Sequence, residues 1–164
     1  VPPVMVSCQR EGERPNILTV AWAGTVCSSP AMVSISVRPE RYSYDILRKT
    51  GEFAVNLTTR KLVRAADFCG VRSGRDVDKF ADFEHYDKSS NGLPYLNKYA
   101  NGYMSLKVFD TVDTGSHLVA YSHGNYHQLG EVLGSFGYSV RRKKRTGASA
   151  KTGRGRKTKE KGRS

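Results

Sequence analysis

The chain has 164 residues, one domain's length, with 27 Lys or Arg against 15 Asp or Glu and a formal net charge of +12. Residues 141–164 hold twelve Lys or Arg and one acid, Glu160, so they carry +11 and residues 1–140 carry only +1. A near-neutral folded part argues against a phosphate-tracking nucleic-acid surface on the domain itself, because such a surface needs clustered basic side chains on the fold.

In chain order, Val1 to Cys8 has the apolar, β-branched character of a strand, and Gln9 to Asn16, with Glu11-Gly12 inside it, reads as a hairpin turn. Ile17 to Ala23 and Met32 to Val37 read as the next two strands, joined by a loop over Gly24 to Pro30. Met32 to Val37 has Ser34 and Ser36 at alternate positions among apolar residues, the period-2 pattern of a strand with one buried face. Ser43 begins a helix signal, with a capping hydroxyl, basic residues in the last turn and Gly51 as the stop. Phe53 to Leu57 is a short strand, Thr59 to Phe68 a second helix, Cys69 to Lys79 a charged glycine-containing loop, and Tyr103 to Val112 the last clear strand. Strands outnumber helices, which predicts a mainly β fold, a small β-barrel with short helices.

A boundary is expected near Val140. Beyond it no side chain exceeds Ala in apolar size and none is aromatic, so nothing offsets the entropy of ordering and residues 141–164 are expected to be a disordered basic tail. Such a tail can bind nucleic acid or an acidic surface without specificity. Cys8, Cys27 and Cys69 match no metal or disulfide spacing, and neither a signal peptide nor an 18-residue apolar run is present. A cytoplasmic protein with reduced thiols, no metal and no membrane span is expected.

Five segments, TVAWAGTVCSSP (Thr19 to Pro30), SISVRPERYSYDIL (Ser34 to Leu47), FAVNL (Phe53 to Leu57), CGVRSGRDVDKF (Cys69 to Phe80) and AYSHGNYHQLG (Ala120 to Gly130), together resemble the flavin reductase-like, FMN-binding split-barrel family, its flavoredoxin-like branch above all. The resemblance spans Val4 to about Arg142. It implies a six-stranded antiparallel barrel that dimerises, FMN in a cleft near the subunit interface, hydride supplied by NADH or NADPH, and electrons passed to an acceptor that the sequence does not identify.

The residues agree with that expectation. Ala23, Gly24, Thr25, Val26 and Cys27 form a segment of mostly small residues whose backbone N–H groups suit the flavin's pyrimidine edge. Arg38 can grip a phosphate with two prongs, and Arg41, Ser43 and the helix start beside them add charge, a hydroxyl and a dipole. For Arg41 the competing reading is a surface ion pair to Glu40 or Asp45. Asn56, beside Leu57 in an apolar strand, needs partners for its amide, from the flavin in the family pattern or from strand pairing otherwise. In the second loop of the pattern Cys69, Gly70, Ser73, Gly74 and Lys79 suit phosphate, although a solvated position is the commoner role for a lone lysine such as Lys79. Cys27 and Cys69 read as small buried hydrophobes rather than redox thiols. His117, in Gly115-Ser116-His117, resembles a family motif near the nicotinamide and is the catalytic candidate. His123 reads as structural.

One departure stands out. The family normally continues from Gly-Ser-His through further strands, whereas Leu118-Val119-Ala120-Tyr121 follows His117 at once. Roughly thirty residues are lacking against the usual length, which predicts missing barrel staves and exposed strand edges. The leading expectation is therefore a flavin-dependent oxidoreductase. The alternative is a non-catalytic domain docked by its basic tail.

Overall fold

The computed structural model describes residues 3–83, 85–100 and 102–128, so the boundary near Val140 and the basic tail lie outside the described residues. The elements are β1 (Val4–Cys8), β2 (Asn16–Val20), β3 (Ala23–Ser28), β4 (Ala31–Val37), α1 (Tyr42–Thr50), β5 (Glu52–Asn56), a 3-10 turn (Arg60–Leu62) running into α2 (Val63–Val71), β6 (Asp87–Lys88), β7 (Pro94–Tyr95), β8 (Gly102–Asp113) and β9 (Leu118–Gln128). Seven strands form one antiparallel sheet in the order β2-β1-β5-β8-β9-β4-β3, and β6 pairs with β7 as a separate ribbon.

The order of the strands dictates the curl. β2 and β3 lie at opposite edges of the sheet, yet only Ala21 and Trp22 separate them in sequence. A chain advances about 3.3–3.6 Å per residue at most, so the two edges must meet where Val20 passes to Ala23. The Ser36 N–H donates to the Trp22 carbonyl at 2.9 Å and ties this crossover to β4. The sheet is thus a half-barrel, strapped at one end and open along the rest of the seam, as the split-barrel expectation requires.

Apolar residues fill both faces of the central strands. Inside the curl, Val6, Leu18, Ile35, Val37, Phe53, Val55 and Leu106 pack with Ile46 and Leu47 of α1. Outside it, Met5 and Ile17 pack with Leu62, Ala66 and Cys69 of α2 and its lead-in turn, and with Phe80, Phe83 and Leu96. On β1 and β2, neighbouring residues therefore serve two cores, and α1 and α2 cover opposite faces of the sheet.

Several boundaries differ from the sequence reading. Gly24 to Pro30 is not a loop: most of it is edge strand β3, with a bulge between Thr25 and Cys27, turned back by a cis Ser29–Pro30 peptide. Ile17 to Ala23 is broken at the crossover. α1 starts at Tyr42 after Arg41, and no side chain caps it: the Ser43 hydroxyl instead accepts a bond from Asn16 Nδ2 at 2.6 Å. Gly51 does stop it, at φ 65° with its N–H on the Leu47 carbonyl. α2 runs through Cys69 and Gly70 to Val71, and a full strand, β9, follows Tyr103 to Val112, the last strand expected from the sequence. After His117 the chain makes a tight turn, with Thr114 N–H on the His117 carbonyl at 2.9 Å and Gly115 at φ 91°, and β9 then slots between β8 and β4. The short course after His117 is therefore a continuous hairpin. β2 and β3 each keep one unpaired edge among the described residues.

Candidate functional site

A cleft of about 410 Å³ opens where the start of α1, the strand β2 and the segment after α2 converge. Arg38, Glu40, Arg41 and Ser43 line one side; Arg72, Ser73, Gly74, Arg75 and Lys79 line the other; Asn16 and Leu18 form part of the wall. Among the described residues, five cations thus face one acid.

The end of α2 explains why two of these cations stand where they do. The last carbonyls of a helix have no partner within it and favour cations. Lys79 Nζ donates to the Cys69 carbonyl at 2.8 Å, and Arg41 Nη1 donates to the Gly70 carbonyl at 2.7 Å. Both side chains cap α2 and are fixed beside the cleft by doing so. Arg75 donates to the Glu40 carbonyl at 2.9 Å and lies 5.6 Å from the Tyr42 ring centroid, so the loop after α2 is clamped to the start of α1. Gly74 is packed so closely that a Cβ would fall 2.1 Å from Asn16 Oδ1 and 2.7 Å from Tyr42 Cδ1. Only glycine lets the loop close on α1.

Lys79 is not on a solvated face: it is 3% exposed, and burial is the main reason its amine titrates below the ordinary lysine range, with Arg41 adding repulsion. A buried ammonium without an acidic partner is costly, and an anion in the cleft would supply the missing charge. Neither of the ion pairs among the described residues involves Lys79. Arg38 is more open, with its side chain 59% exposed and 3.7 Å from the Glu40 carboxylate.

A second groove adjoins the first along Leu18, Arg38 and Arg41 and follows the Ala21–Trp22 crossover to His117. The imidazole of His117 stacks on Trp22, centroids 4.5 Å apart, and its Nδ1 lies 2.9 Å from Ser116 Oγ. Trp22 is 62% exposed and presents a flat apolar face beside the cations.

Of the residues singled out in the sequence, Arg38, Arg41, Ser43, Ser73, Gly74 and Lys79 come together in the cleft, and His117 lines the groove next to it. Ala23, Gly24, Thr25, Val26 and Cys27 lie on edge strand β3 and line neither cavity. Asn56 is fully buried away from both: it donates to the Met5 carbonyl and Ser7 Oγ at 3.0 Å and accepts from Leu96 N–H at 2.8 Å, so strand pairing uses its amide. Leu57 packs on the inner core, and its N–H bonds the Gly102 carbonyl. Cys69 is buried in the outer core, where burial pushes its thiol up to about 11, and Gly70 contributes its carbonyl to Arg41. Arg72, Arg75, Asn16 and Trp22 were missed. The two arginines flank the Ser73-Gly74 pair and were legible as such, while Asn16 and Trp22 reach the site only through the folding of β2.

No cluster of His, Cys, Asp or Glu able to hold a metal, and no helix long and apolar enough to cross a membrane, occurs among the described residues. The "Flavin reductase like domain" family profile matches residues 1–130, and the chain belongs to that family. A high molecular weight rubredoxin of Moorella thermoacetica is 26% identical over 111 residues, covering 67% of this chain and 48% of that protein. The chain spans about half the length of the curated relatives it matches. Among solved structures, flavoredoxin of Methanosarcina acetivorans superposes with a TM-score of 0.69 at 18% identity, over 85% of this chain and 90% of that one. An FMN-binding protein of Thermus thermophilus gives 0.71 at 22%, over 77% and 69%. At these identities the likeness is one of fold.

Proposed function

We propose that the chain is a flavoprotein oxidoreductase of the flavin reductase and flavoredoxin type, which binds FMN, takes hydride from NAD(P)H and passes electrons to an acceptor. The observation that carries this reading is the cationic cleft with Lys79 buried beside it and in no ion pair among the described residues. Family membership and the fold shared with flavoredoxin support it.

The residues present suit a flavin phosphate. Arg38 and Arg41 offer guanidinium donors, Lys79 a buried positive charge, and the start of α1 its unpaired N–H groups. The adjoining groove suits a flat ring, because Trp22 offers it an apolar face beside the cations. When bound, FMN supplies the atom that accepts hydride. The chain's own work is to position the ring, exclude water and hold His117 where a nicotinamide would approach, so no acid–base pair is needed.

The chain acts as a homodimer, because the exposed edges and the outer half of β8 need cover. Residues 141–164, with their +11 charge, serve as a salt-sensitive tether to polyanions. Steady-state reduction of FMN by NADH and NADPH tests the activity. Removing the His117 ring should lower turnover roughly threefold to tenfold, the value of one hydrogen bond or stacking contact, without loss of FMN affinity. Turnover unchanged in His117→Ala would remove His117 from the mechanism.

A further inference from the structure

Lys79 lines two cavities. Besides the cationic cleft it borders a pocket of about 360 Å³ on the other side of α2, within the roughly 300–1,000 Å³ range of small-molecule sites. Phe68, Phe83 and Tyr99 give this pocket an aromatic wall, with Phe83 and Tyr99 edge to face, centroids 5.6 Å apart. Its charged lining is Lys61, Arg64 and Lys79 against Asp82.

Two features define what fits. The aromatic wall selects a flat apolar body. Among the described residues the lining is cationic by three to one, and its most buried member, Lys79, uses one of three donors, on the Cys69 carbonyl, with no other hydrogen-bond partner there. A neutral apolar guest would leave that ammonium unpaired, and a bare inorganic anion would leave the rings uncovered.

We propose that this pocket is a second binding site, for a small aromatic carboxylate, with the ring against Phe68, Phe83 and Tyr99 and the carboxylate toward Lys79 and Arg64. The site is distinct from the flavin cleft and does not depend on the flavin reading, although the shared lysine couples the two. An anion on either side satisfies the same charge, so each ligand weakens the other by the same factor.

The test is calorimetric titration of the full chain with benzoate and with benzyl alcohol as its uncharged counterpart. Benzoate should bind saturably with a stoichiometry of one, at least tenfold tighter than benzyl alcohol. Binding should persist, weakened, at saturating FMN. Ala65→Trp fills the pocket from α2 and should abolish benzoate binding while leaving an FMN titration unchanged. Arg64→Ala, at an exposed helix position, should weaken benzoate several-fold in a chain that melts like the wild type. No saturable binding, benzyl alcohol binding equally well, full displacement by FMN, or benzoate affinity unchanged in both variants would each overturn the assignment. Because benzoate is measured alone first, a failure here is separate from a failure to bind flavin.

Discussion

Asn56 and Lys79 stand at opposite ends of what a sequence can reveal about one residue. Both are polar and both are buried, but Asn56 uses its amide within the protein, while among the described residues Lys79 donates to the Cys69 carbonyl alone. Asn56→Ala would strand the buried Leu96 N–H, so urea unfolding should show a loss of about 1–3 kcal/mol, while Asn56→Asp should not restore stability. Lys79 has no such signature in the sequence, since its burial follows from the capping of α2 ten residues earlier.

The titrations at this scale have opposite signs. Burial raises Cys8 and Cys69 from 9.0 to about 11, so the unfolded chain releases their protons first as pH rises. Their contribution is intact below pH 9 and falls between 9 and 11, by about 1.4 kcal/mol per pH unit for each thiol. Lys79 lies below 10.5 in the folded chain, so the unfolded chain binds the proton more tightly and its contribution rises with pH through that window. Denaturation profiles from pH 7 to 11 should show a net fall above pH 9 that Cys69→Ala reduces, and the difference between wild type and Lys79→Met should isolate the rising part.

Elements were legible where a single periodicity ruled. β4 shows its alternation because one face meets the inner core, and α1 shows its stop because Gly51 adopts φ 65°. β3 was hidden because an exposed edge strand needs no apolar face, and its Gly, Thr and Ser residues read as turn formers. β9 was hidden by Gly124 and Asn125, although Gly124 is required there: a Cβ would lie 1.9 Å from the Ser105 carbonyl oxygen. The same reasoning separates two glycines of the proposed site. Gly74→Ala should destabilise by about 1–3 kcal/mol through overpacking against Asn16 and Tyr42, and should open the cleft, whereas Gly24→Ala, with nothing within 4 Å, should do neither. Thermal melts of the two variants compare them directly.

At the scale of the molecule, the strand order carries an implication that no segment shows alone. Adjacent β2 and β3 at opposite edges force the curl, and the curl brings His117, Trp22, Arg38 and Arg41 to one line. The same arrangement leaves the outer half of β8 bare, with Phe109 half exposed against His123. If a second copy covers this surface, Phe109→Glu should weaken self-association more than about tenfold in sedimentation experiments while the monomer keeps its far-ultraviolet spectrum.

The central claim, that the cationic cleft holds a flavin phosphate, is tested most directly by comparing FMN with riboflavin in equilibrium titrations of the wild type and of Arg41→Ala. Charge-assisted bonds of about 1.5–3 kcal/mol predict that FMN binds roughly tenfold to a hundredfold or more tighter than riboflavin, and that the gap narrows sharply in the variant. Equal affinity for the two flavins, or a gap that Arg41→Ala leaves intact, would contradict it.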